Sequence, residues 1–391
     1  MVNDLPPGTI LQVVLPLYGI PEAGAHWYGT YYKHHQIKLN MVQSTYDPCL
    51  MVTNNGEAGP FGVVGLQTDD TLFLGDEEFV RLEDSELKAA KFLAKPAQAL
   101  SSDNPLAFNG CKLIIEDGGT INMIPKDQGR RLELVDFSSS SANQAYLEQR
   151  ARGAYIATVC QPEAAFDLST ATQHQGPGKD EIKALNARLK WQIENQDRGL
   201  RFIPLELPTS KLFVFVDGSF ANNQDLSSQI GFVIVLGNEE ERNGSFVLNG
   251  NIVGYSSTKC KRVTRAVLAS ELYSMVAGAD MAISLSTTYA MICSQLGISN
   301  FPVVVCTDSF SLYECLVKLG TTKEKRLMID IMALRQSYER RELAEIRWIE
   351  GDSNPADAMT KSKPNRCLEQ MVSSNRLVIK VKGWVDRSDD E

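Results

Sequence analysis

Four carboxylates in this sequence have neighbours that could support metal-dependent chemistry: Asp217, Glu271, Asp308 and Asp357. Asp217 closes the run Lys211-Leu212-Phe213-Val214-Phe215-Val216, whose apolar, β-branched and aromatic content predicts a buried strand. A carboxylate at the edge of an apolar core is costly unless a cation or donor compensates it, although Asp217-Gly218-Ser219 is also ordinary turn chemistry. Glu271 lies three residues after Leu268 and four before Met275, on the apolar stripe Leu268, Leu272, Met275, Ala279 of an expected helix. A charge facing a core is unusual. Asp308 follows Val303-Val304-Val305-Cys306-Thr307, at the carboxyl end of a continuous apolar strand, where α/β sheets place ligand sites. It could equally cap the helix that starts at Ser309. With Asn354 as N-cap and Pro355 at the first helical position, Asp357 is the third residue of a helix, where an acid already suits the dipole.

The combination says more than any member. Two carboxylates end strands, one faces the sheet from a helix and one starts a helix after the last strand. If they converge on one sheet edge, they repel unless divalent cations sit among them. Two metals about 4 Å apart suit in-line phosphodiester cleavage, and oxygen-only ligands favour magnesium or manganese.

The elements that must position these residues follow from periodicity. After residue 211 the pattern predicts strands over 212–217, 230–236 and 246–256, a helix over 264–283 and a strand over 302–306. Helices over 309–319 and 324–340, a strand over 344–349 and a short helix from Pro355 complete it. A meander followed by α/β units implies a mixed five-stranded sheet with flanking helices. Upstream, an aromatic helix (23–35) and a turn into a strand (46–52) precede a hairpin over 61–74 whose tip carries Asp69 and Asp70. A helix (77–95), a second hairpin (108–124) and a largely helical, charged stretch (125–205) follow. The expected domains are 1–125, 126–205 and 206–391, a mixture of α+β and α/β.

The chain has 391 residues, 43% of them hydrophobic, and a net charge of −9 from 39 basic and 48 acidic residues. No stretch reads as the roughly 20 apolar residues that span a bilayer, and the first residues lack the basic and apolar regions of a secretory signal. No membrane association is expected. The eight cysteines are scattered, without zinc spacing, and read as reduced thiols in an intracellular protein, cytoplasmic or nuclear. The acidic balance argues against a whole-surface nucleic-acid binder. A local basic strip remains, because Lys259, Lys261, Arg262 and Arg265 fall within seven residues.

The order Asp, Glu, Asp, Asp on strand, helix, strand, helix resembles ribonuclease H. In detail the sequence is similar to the fungal copia-type long-terminal-repeat retrotransposon polyproteins, from the later part of the reverse transcriptase into ribonuclease H. The carrying residues are Val216-Asp217-Gly218-Ser219, Ser256-Ser257-Thr258-Lys259, Ala269-Ser270-Glu271-Leu272-Tyr273, Thr307-Asp308-Ser309 and Asn354-Pro355-Ala356-Asp357-Ala358-Met359-Thr360-Lys361. Upstream, Leu17-Tyr18-Gly19-Ile20-Pro21-Glu22-Ala23-Gly24 resembles a helix motif of the reverse transcriptase. Gln67-Thr68-Asp69-Asp70 stands where that enzyme carries its Asp-Asp hairpin, and Phe108-Asn109-Gly110 resembles its primer-gripping hairpin. Gln161-Pro162-Glu163 resembles the lead into ribonuclease H.

The resemblance implies a partial palm and thumb followed by a ribonuclease H domain that cuts the RNA strand of an RNA–DNA hybrid. It implies two magnesium or manganese ions held by Asp217, Glu271, Asp308 and Asp357. Charge suggests a hybrid-binding strip of Ser256, Ser257, Lys259, Lys261, Arg262 and Arg265. There are departures. Gln67 and Thr68 replace the usual aromatic and apolar residues, and only Asp4 precedes Gly19 where the polymerase needs a third carboxylate. Fingers and the first palm motif are expected to be missing, so Asp69 and Asp70 read as a polymerase remnant without independent DNA synthesis. A polymerase subunit could supply those fingers. The ribonuclease H region contains no histidine. The alternative from another class is an inert retrotransposon remnant that binds nucleic acid at most.

Overall fold

The turn at Pro21 opens the first helix, α1 (Ala23–Lys38), in the computed structural model, which describes residues 6, 21–57, 59–174, 176–318 and 322–386. Asp4 and the segment Leu17–Ile20 lie outside the described residues. Two compact units form, one up to Lys95 with Ser294–Gly297, the other from Pro96 to Cys293 and from Ile298 onward.

In the first unit α1 is followed by strands β1 (Met41–Gln43), β2 (Leu50–Thr53), β3 (Gly62–Gln67) and β4 (Asp70–Gly75), an antiparallel sheet in sequence order, and by helix α2 (Glu77–Ala89). The aromatics of α1 behave as their spacing predicts. Tyr31 packs with Leu39, Met41, Met51, Val64, Leu66 and Phe79 in one core. Asp76 caps α2, accepting the Phe79 N–H at 2.7 Å. The 61–74 hairpin forms in register, Gln67 opposite Asp70, so Thr68 and Asp69 make its tip. Thr68 has φ 56°, a conformation uncommon for a β-branched residue.

The second unit begins with strands β5 (Leu106–Phe108), β6 (Cys111–Ile115) and β7 (Ile121–Pro125). Helices α3 (Ala142–Val159), α4 (Ala165–Ala171) and α5 (Lys179–Glu194) follow, and strand β8 (Leu200–Phe202) returns to pair with β7. The helices share a core of Tyr146, Ile156, Leu168, Ile182, Leu185 and Leu189. This layer docks on the large sheet that follows. Tyr255 Oη donates to the Ala157 carbonyl at 2.6 Å, and Gln229 Nε2 donates to Ser169 Oγ at 3.0 Å.

That sheet contains β9 (Lys211–Ser219), β10 (Gln229–Arg242) and β11 (Ser245–Lys259). Helix α6 (Val267–Gln295), strand β12 (Val303–Thr307), helices α7 (Phe310–Val317) and α8 (Leu327–Glu339), strand β13 (Glu345–Ile349), helix α9 (Cys367–Ser374) and strand β14 (Arg376–Asp386) complete the chain. β9 is antiparallel to β10 and parallel to β12, and β12 is parallel to β13. β9 is buried on both faces. Leu212, Val214 and Val216 pack with α6, α7 and α8, while Phe213 and Phe215 pack with α9 and β14.

The expected five strands are present, but the sheet has six. β14 pairs antiparallel with both β11 and β13 and closes the sheet into a barrel. It forms because Leu377 and Ile379 alternate inward while Arg376, Val378 and Lys380 stay exposed. Arg347 of β13 is fully buried beside that closure. It donates to Glu239 at 2.5 and 3.0 Å and to Glu345 at 2.8 Å, with its guanidinium 4.0 Å from the Trp384 ring centre and 4.7 Å from that of Phe246. Lys211 Nζ bridges the same two glutamates at 2.6 Å each.

Against the expectation from sequence, α6 is long and apolar enough by length and composition to cross a bilayer. Its residues Ala269, Leu272, Met275, Ala279 and Ala282 are buried in the core against the sheet.

Candidate active site

Strand register brings the first two carboxylates together. Val216 of β9 stands opposite Thr307 of the parallel strand β12, so the next residues, Asp217 and Asp308, emerge side by side. Both follow apolar strands that the core fixes in place. Glu271 arrives from the first turns of α6. The close approach of that helix depends on Gly218, because a Cβ there would lie 2.5 Å from the Ser270 carbonyl carbon and oxygen and 2.7 Å from the Glu271 nitrogen. Ser274 Oγ donates to the Asp217 carbonyl at 2.6 Å and ties the helix to the strand. Asp217, Glu271 and Asp308 each offer a carboxylate oxygen, and these oxygens lie within 4.8 Å of one another.

Asp357 comes from a 3₁₀ turn, Pro355–Met359, rather than an α-helix. Asn354 caps it as the sequence predicts, accepting the Ala356 N–H at 3.0 Å, and its Nδ2 donates to the Val216 carbonyl at 2.9 Å, beside Asp217. Asp357 does not join the 4.8 Å grouping. One of its oxygens accepts a hydrogen bond from Lys361 Nζ, and the other accepts the Asn365 N–H at 2.7 Å. Lys361 Nζ also lies 3.6 Å from Asp217 Oδ1, and Thr360 Oγ1 donates to Asp217 Oδ2.

Burial dominates the electrostatics. It pushes the Asp217 carboxyl up to about 6, with the neighbouring Lys361 pulling it down and Asp308 adding to the rise. Burial likewise holds Glu271 well above the usual carboxylate range, reinforced by Asp217 and Asp308. Asp308 is raised too, again by burial, with Lys361 and a hydrogen bond from Asn354 acting against it. Glu271 Oε2 is buried with no hydrogen-bond partner. Three crowded carboxylates, one with an orphaned oxygen, form an oxygen-only donor set that fits magnesium or manganese.

The remaining predicted residues divide. Ser257 Oγ donates to the Met359 carbonyl and accepts from Gln229 Nε2 at 3.0 Å, so it braces the turn that carries Asp357. Ser256 is half-buried in β11. Lys259 pairs with Asp225, and Arg262 pairs with Asp330 at 2.8 Å and lies over the Tyr273 ring. Lys261 and Arg265 are exposed. Asp69 and Asp70 are exposed on the hairpin of the first unit, and among the described residues they belong to no grouping of three ligand side chains. The sequence reading gave Thr360 and Lys361 no role of their own. The available signal was spacing, because Lys361 lies four residues beyond Asp357, the spacing of facing residues on the helix that the sequence predicts there.

No family model matches the chain. It is 21% identical over 401 aligned positions to the Transposon Ty1-ER2 Gag-Pol polyprotein of Saccharomyces cerevisiae. The alignment covers 93% of this chain and 22% of that polyprotein. Among solved structures it bears a slight likeness to a foamy viral protease-reverse transcriptase in complex with double-stranded DNA. The TM-score is 0.40 at 11% identity, covering 70% of this chain and 44% of the other. LC11-RNase H1, isolated from compost by a metagenomic approach, gives a TM-score of 0.28 at 16% identity, covering 38% of this chain and 92% of the other. Along nearly its whole length the chain therefore corresponds to part of a retrotransposon Gag-Pol polyprotein, spanning about a fifth of the relative it matches.

Proposed function

We propose that this chain is a copia-type retroelement ribonuclease that hydrolyses the RNA strand of an RNA–DNA hybrid. The observation that carries the reading is the buried, unpartnered Glu271 Oε2 in a side chain grouped with Asp217 and Asp308. Divalent magnesium or manganese, when bound there, supplies activation of the attacking water and stabilisation of the leaving oxygen. Asp217, Glu271 and Asp308 would hold it, and Asp357 would complete the set on the Lys361 side.

The chain's own work is positioning. β9 and β12 fix two carboxylates through the parallel register, α6 delivers the third against Gly218, and Asn354 links the Asp357 turn to β9. The strip from Ser256 to Arg265 leads from β11 into α6, and its exposed Lys261 and Arg265 are the cations offered to the hybrid backbone. The exposed Asp69–Asp70 tip belongs to the first unit and takes no part in this cleavage.

The test is strand choice. A hybrid labelled on either strand is incubated with the full chain and magnesium. Cutting of the RNA strand alone is expected. Equal cutting of both strands, or cutting of double-stranded DNA, would overturn the proposal.

A further inference from the structure

The four carboxylates are not equivalent. Three share one grouping, and both oxygens of the fourth already have partners. Asp357 Oδ2 accepts the Asn365 N–H at 2.7 Å, and Asn365 is itself fixed, with Nδ2 donating to the Gly351 carbonyl at 3.0 Å and the Asn354 carbonyl at 2.9 Å. Asp357 Oδ1 faces Lys361 Nζ, which also reaches to 3.6 Å from Asp217 Oδ1. The ammonium thus stands between one member of the triad and the fourth carboxylate. A lysine ammonium is a compact point charge that oxygen ligands accept much as they accept a small metal ion. Glu271 keeps a buried oxygen with no partner.

We propose that Lys361 is a tethered cation of this site, occupying the place between Asp217 and Asp357 that a second divalent ion would take. The first ion enters the Asp217, Glu271, Asp308 side, where a donor is waiting. The second must displace the ammonium, so the two ions bind with unequal affinity and Lys361 sets the difference. Lys361 is then a positioning residue, holding Asp217 and Asp357 together before the second ion arrives. This inference rests on the divalent-ion reading above.

Manganous ion is the probe, titrated into the full chain by calorimetry with free ion followed by electron paramagnetic resonance. Wild type should bind one ion tightly and a second weakly. Lys361→Gln and Lys361→Met should tighten the second ion about fivefold, the upper end of what a half-exposed ion pair contributes, and the first by less. Lys361→Arg, which keeps the charge, should retain the wild-type inequality, and melting curves for all variants report that each is folded. Two ions bound equally by wild type, or a second ion unmoved or weakened in both neutral variants, would overturn the role of Lys361 and leave the divalent site standing. No binding by folded wild-type protein would overturn the divalent site, and the inference with it.

Discussion

Adding one methyl group at Gly218 should disable the site without unfolding the protein. Gly218 lies in β9 with no left-handed backbone, so alanine meets no conformational penalty and only space is at issue. The new Cβ would sit 2.5 Å from the Ser270 carbonyl carbon and oxygen and 2.7 Å from the Glu271 nitrogen, all backbone atoms that no rotamer change can move. Ordinary carbon contacts lie at about 3.5 Å, so α6 must retreat by about 1 Å at the residue that carries Glu271. Ligand constellations tolerate errors of roughly 0.5 Å, and a misplacement of about 1 Å can cost on the order of 100-fold in rate. Overpacking of this kind destabilises by about 1–3 kcal/mol. Gly218→Ala should therefore lose about 100-fold in hybrid cleavage and bind manganese more weakly, with wild-type helix content and a modestly lower melting temperature. Cleavage within threefold of wild type would refute the claim that this helix–strand contact places Glu271.

Asp69→Asn combined with Asp70→Asn should leave hybrid cleavage nearly unchanged, measured on the same labelled substrate; a total loss would sink the division of labour between the two units. The pH dependence has a definite sign. Asp217 is raised to about 6 in the folded chain, against about 3.9 for a free aspartate, which corresponds to ~3 kcal/mol. Its contribution to stability is fully present below about pH 4 and is lost as pH rises through about 6. In chelator, Asp217→Asn should therefore gain on wild type in urea unfolding as pH climbs from about 5 to about 7.5, and a gap that stays flat would contradict the burial-driven shift.

The apolar runs ending at Asp217 and Asp308 could be read from sequence because a strand buried on both faces leaves a continuous hydrophobic signature. Glu271 stood out because a charge interrupts an otherwise apolar helical stripe. The sixth strand was harder. Its alternation, Leu377 and Ile379 inward, covers few residues, and Lys380, Lys382 and Gly383 dilute it. Its partners β11 and β13 lie far away in sequence, so barrel closure is a tertiary event with little local signature. The buried Arg347 with Glu239, Glu345 and Lys211 was hidden for the same reason, since those charges come from β13, β10 and β9. Periodicity assigned Asp357 to a helix start, and the cap was legible. The commitment of its carboxylate to Lys361 and Asn365 depends on how the following turn folds back. The length of α6 also exceeded expectation because its exposed face carries few charges that would mark an end.

The most direct measurement is cleavage of a labelled RNA–DNA hybrid by the full chain in magnesium, alongside EDTA and an Asp308→Asn variant. Cutting that EDTA abolishes is expected, and Asp308→Asn should lack it while keeping the wild-type fold by circular dichroism. Cutting that survives Asp308→Asn, or none from folded wild-type protein supplied with magnesium or manganese, would contradict the proposal.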